Sequence, residues 1–98
     1  MEQIERIKEM ERSLERVAQA VMRLSAALDE YAGVQETLRE LSDYYGSELW
    51  KQDFADDEAG RLPADLKRGV LSEDAVWNVL SDSRELNSRL REMATDLS

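Results

Sequence analysis

Residues 7–31 read IKEMERSLERVAQAVMRLSAALDEY, and within them Ile7, Met10, Leu14, Val17, Val21, Leu24, Leu28 and Tyr31 recur at alternating spacings of three and four. Four unbroken heptads follow. A strand needs period two; this spacing keeps one apolar seam on one face of an α-helix, while the residues between are charged or small. The pattern is that of a helix built to lie against another helix, as in a coiled coil or bundle.

Working outward, helix one is predicted from Gln3 to Ala32. Gly33 is expected in the left-handed position that closes a helix, with Val34 folding back on Leu28. The alternative is a helix running on through Gly33 at a cost of about 1 kcal/mol relative to alanine. A second series, Val34, Leu38, Leu41 and Tyr45, ends at Gly46. Ser47 is placed to cap a short helix holding Leu49, Trp50 and Phe54 that ends before Gly60. Pro63, Asp65, Lys67, Arg68 and Gly69 are spaced like a mini-helix whose charges suit its dipole. Ser72 caps the last helix, with Glu73 and Asp74 in its first turn and Val76, Val79, Ser83, Leu86, Leu90, Met93 and Leu97 in heptad spacing.

The expected fold is therefore all-α: one domain over residues 1–98, an antiparallel three-helix bundle with long N- and C-terminal helices and a short helical connector. At roughly 45 Å and 37 Å the two long helices match closely enough in length to lie side by side.

Composition narrows the chemistry. The 98 residues contain neither histidine nor cysteine. That removes the commonest general base, the Ser-His-Asp and Cys-His arrangements, thiolate metal sites and the Glu-x-x-His pairs of carboxylate-bridged metals. The four glycines stand far apart, so no phosphate-cradling loop is present. The cluster Asp53, Asp56, Asp57, Glu58 does not match the twelve-residue calcium loop and reads as a solvated acidic turn. No catalytic residues, no metal ligands and no cofactor are expected. With a charged N-terminal segment and no apolar run of the roughly 20 residues that span a bilayer, the chain is expected in the cytoplasm, off the membrane.

Charge is uneven. Residues 35–60 hold eight acidic and two basic side chains, most of the net −9 of the whole chain. Such a surface repels nucleic-acid phosphates and anionic lipid, so direct binding to either is disfavoured. Four of the six aromatic residues, Tyr44, Tyr45, Trp50 and Phe54, fall in the same stretch, and Trp77 opens the last helix. The aromatic group serves either to close a narrow core or as an anchor patch for a protein partner. The candidate partner-binding residues are Tyr44, Tyr45, Trp50, Asp53, Asp56, Asp57 and Glu58. The basic pair Lys67 and Arg68 is expected to hold the connector by pairing with carboxylates such as Asp65, Glu73 or Asp74.

The stretch Leu41-Ser42-Asp43-Tyr44-Tyr45-Gly46-Ser47, with Trp50 and Asp53, then Glu58-Ala59-Gly60, Leu62-Pro63 and residues 65–74 from Asp65 to Asp74, resembles the core signature of a family of short bacterial helical proteins filed as domain of unknown function 4298. The resemblance implies an all-helical fold, and it brings no activity and no site residues with it. Function is then expected to be protein binding, as an adaptor or regulatory domain whose partner is another protein or a second copy of the chain. The alternative is an acidic nucleic-acid mimic that occupies the groove of a basic enzyme.

Overall fold

The computed structural model describes residues 2–97. The described chain is all-helical, with α1 (Gln3–Gly33), α2 (Gln35–Tyr45), α3 (Glu48–Glu58) and α4 (Glu73–Leu97), and a single 3-10 turn at Gly69–Leu71. It divides into two compact units between Gln35 and Glu36.

In the first unit α1 runs as anticipated, one residue further than the spacing predicts. Gly33 does not adopt the left-handed conformation; among the described residues the only glycine at positive φ is Gly60. The break is instead confined to Val34 (φ −101°, ψ 5°), whose N–H bonds the Tyr31 carbonyl at 3.3 Å. The Gln35 side chain donates to the same carbonyl at 2.8 Å. A carbonyl released at a helix end is thereby satisfied without a glycine-specific turn. No residue of α1 is buried.

The second unit is built around α3. Ser47 caps that helix, its hydroxyl accepting from Trp50 N at 3.2 Å. At the other end Gly60 N–H bonds Asp57 O and Arg61 N–H bonds Asp56 O, both at 3.0 Å. With Gly60 at φ +72° these are the paired bonds of a Schellman ending. Residues 63–68 do not form the mini-helix their composition suggests. They make one turn, closed by Leu66 N–H to Pro63 O at 3.2 Å, and the helical bonds come later, at Gly69–Leu71. This 3-10 turn packs against both α3 and α4 and carries Leu71 into the core, where Trp50, Leu71 and Val76 are 8 %, 6 % and 3 % exposed. Ser83 is buried one α4 heptad beyond Val76. α4 begins as expected, with Ser72 Oγ accepting from Ala75 N at 3.4 Å and Glu73 and Asp74 in its first turn, the end at which the helix dipole favours negative charge.

Candidate functional site

Two features of the sequence pointed at function: the aromatic, acidic stretch of the second unit and the apolar seam of α1. The stretch owes its geometry to the turn between α2 and α3. Where the chain turns at Gly46 and Ser47, Tyr45 comes edge-on to Trp50 (ring centroids 5.1 Å, interplanar angle 71°), and Phe54, one helical turn beyond Trp50, stacks on it at 5.2 Å. The Trp50 indole N–H donates to Val70 O at 3.0 Å, and the Tyr45 hydroxyl donates to Glu73 O at 3.3 Å. Trp50 thus lies at the centre of the core, while Tyr44, Tyr45 and Phe54 are half-buried around it.

The acidic side chains of this stretch are engaged within the chain. The Tyr44 hydroxyl donates to Asp53 Oδ2 at 2.5 Å. That hydrogen bond, then partial burial, then the charge of the same carboxylate push the Tyr44 phenol up to about 12. At neutral pH it stays a protonated donor, which makes this pair a clasp between α2 and α3. Asp56 pairs with Arg61 and Asp57 with Arg68, each at 2.9 Å. Arg68 therefore reaches back to α3, not to Asp65, Glu73 or Asp74. Glu58 lies exposed at the end of the helix. Among the described residues no group of three or more acidic side chains is placed to hold a metal ion.

Of the seven candidate residues, the structure brings Tyr45 and Trp50 together in one ring contact and Tyr44 and Asp53 in one hydrogen bond, and gives Asp56 and Asp57 separate arginine partners. It also forms an open pocket of about 340 Å³ lined by Tyr44, Asp53, Leu62, Leu66, Lys67, Val70 and Leu71. Sequence reasoning missed it because the pocket exists only where residues 62–71 fold back over α3, and a mini-helix was expected there. Trp77, counted with the aromatic group, is 55 % exposed.

The seam of α1 is the second surface. Ile7, Met10, Leu14, Val17, Val21, Leu24 and Leu28 are each between 41 % and 63 % exposed. Soluble surfaces rarely carry so long a contiguous apolar stripe unless it binds something. Among the described residues no helix is long and apolar enough to cross a membrane.

A family model described as "Domain of unknown function (DUF4298)" covers residues 7–93. No curated protein and no solved structure matches.

Proposed function

The chain belongs to the DUF4298 family, and from that premise we propose that it is a non-catalytic protein-binding domain, an adaptor or regulatory element that engages another amphipathic helix through the seam of α1. The observation that carries this reading is the half-exposed apolar stripe of four heptads on a helix that buries none of its residues. Helices of this pattern are stabilised mainly by packing their apolar face, and one left uncovered is a partner site by default. The antiparallel three-helix bundle expected from the helix lengths belongs to the same proposal, since α1 enters a bundle when a further helix covers its seam. Chemistry is not part of the reading: the sequence offers no histidine or cysteine, and Asp53, Asp56 and Asp57 are each engaged by a neighbour. The acidic second unit keeps polyanions away.

The test compares the full chain with a Val17→Asp/Leu24→Asp variant as bait in cell extract, with bound proteins identified by mass and rebound in purified form. The expected result is a partner whose binding is lost in the variant and changes little between low and high salt. Binding indifferent to the variant, steeply weakened by salt and displaced by DNA or RNA would instead establish the nucleic-acid mimic.

A further inference from the structure

We propose that the occupant of the α1 seam is the α1 seam of a second copy of this chain, laid antiparallel about a two-fold axis at Gln19. This rests on the reading that the seam binds protein, and it names the partner.

The inference comes from the order of side chains along the stripe. An antiparallel self-pairing sets seam residue i against residue 38 − i of the other copy, while the flanking row of Glu11, Ala18 and Ser25 and the flanking row of Arg6, Ala20 and Val34 each meet themselves, so the seam must be complementary to its own reversal. Val17 meets the second copy's Val21, Leu14 meets Leu24, and Met10 meets Leu28, three layers matched in size with the smallest at the axis, and Ile7 meets the larger Tyr31 in the outermost layer. The positions flanking the axis are alanine. Ala18 and Ala20 face their own counterparts, and this lets the two helices approach most closely where the seam side chains are shortest. A stable interface takes roughly 800 Å² from each partner, and this pairing overlaps the whole seam, roughly 37 Å of helix.

Orientation is decided by charge. Residues 35–98 carry fifteen acidic and eight basic side chains. A parallel pair would bring both of these acidic segments to the same end, whereas the antiparallel pair sends them to opposite ends. The parallel alignment has one compensation, Arg6 beside Glu11 of the other copy, but these are exposed rim charges, which count for little. In the antiparallel alignment Glu11 faces Ser25 and Arg6 faces Val34, and no like charges oppose each other across the seam.

The absence of native cysteine makes the pairing directly readable in the full-length chain. Leu14→Cys and Leu24→Cys chains, mixed while reduced and then oxidised in a thiol–disulfide buffer, are expected to give a mixed disulfide dimer, and neither chain alone should give one. Met10→Cys with Leu28→Cys provides a second pair, and circular dichroism of each variant checks that it folds. Sedimentation equilibrium of the unmodified chain should report twice the chain mass at high micromolar concentration. A disulfide dimer formed by Leu14→Cys alone would mean a parallel pair and overturns the proposal. So would a monomer at every concentration with no cross-link in either mixture; in that case capture of a different protein through the seam would still uphold the broader function.

Discussion

The indole N–H of Trp50 donates to the carbonyl oxygen of Val70 at 3.0 Å, and this one bond ties α3 to the 3-10 turn that precedes α4. Residues twenty positions apart are thereby joined at the centre of a core whose buried apolar side chains, among the described residues, are Trp50, Leu71 and Val76. Trp50→Ala is expected to cost about 3–5 kcal/mol, a large share of the 5–15 kcal/mol typical of a folded domain. Trp50→Phe keeps much of the ring contact with Phe54 and Tyr45 but leaves the Val70 carbonyl without its donor, at an expected cost of about 1–3 kcal/mol. Urea titrations of the three proteins check the order; equal midpoints for the phenylalanine variant and the parent would show that the indole bond contributes nothing.

How the connector folds explains why only part of this unit is legible in the sequence. Ser47 and Gly60 act locally, one on the N–H three residues ahead and the other on carbonyls just behind, so their roles follow from position in the chain. Residues 63–68 have equally good local signals for a helix, yet Trp50 takes the Val70 carbonyl and Asp57 takes Arg68, eleven residues away. Local propensity does not see such contacts. The same holds for the candidate site. That the aromatic and acidic residues gather in one stretch is plain from the sequence, but which ring is innermost and which carboxylate each arginine meets depends on the turn at Gly46 and the fold-back at Gly69. At Gly33 the expectation failed for a smaller reason: Gln35 satisfies the Tyr31 carbonyl with its side chain, and the glycine's freedom is not needed.

Arg68 and Lys67 differ in what they touch, and their variants should differ too. The Arg68–Asp57 pair is partly shielded, with side chains 38 % and 26 % exposed. Arg68→Gln is expected to cost about 1 kcal/mol after allowance for solvent screening. Lys67, exposed on the pocket rim, should tolerate Gln within about 0.5 kcal/mol. A double-mutant cycle of Arg68→Gln with Asp57→Asn, read by urea midpoint, isolates the coupling; additive costs would deny the pair any role in holding the connector.

Tyr44 makes the unit sensitive to alkaline pH. Its phenol is pushed up to about 12, whereas the unfolded chain titrates near 10. A folded value above the unfolded one means that the bond to Asp53 contributes fully below about pH 10 and is lost as pH rises toward 12. Absorbance at the phenolate band should show a late step near pH 12, and Tyr44→Phe should remove it. A phenolate titration that Tyr44→Phe leaves without loss of any late step would show that the clasp does not persist in solution.

Leu24 offers a separate measure of what the α1 seam does. Were it a core position, Leu24→Ala would cost about 2–5 kcal/mol, but Leu24 is 53 % exposed, so a chain diluted below its association limit should lose less than about 0.5 kcal/mol. At high concentration the outcome changes, because an association that occurs only between folded chains raises the apparent stability with protein concentration. The parent's melting temperature is therefore expected to climb with concentration, and that of Leu24→Ala to climb less, the two converging on dilution. Thermal melts across a hundredfold concentration range check this. A large loss that persists at the lowest concentration would mean that Leu24 is covered within its own chain, and the seam would then be core rather than interface.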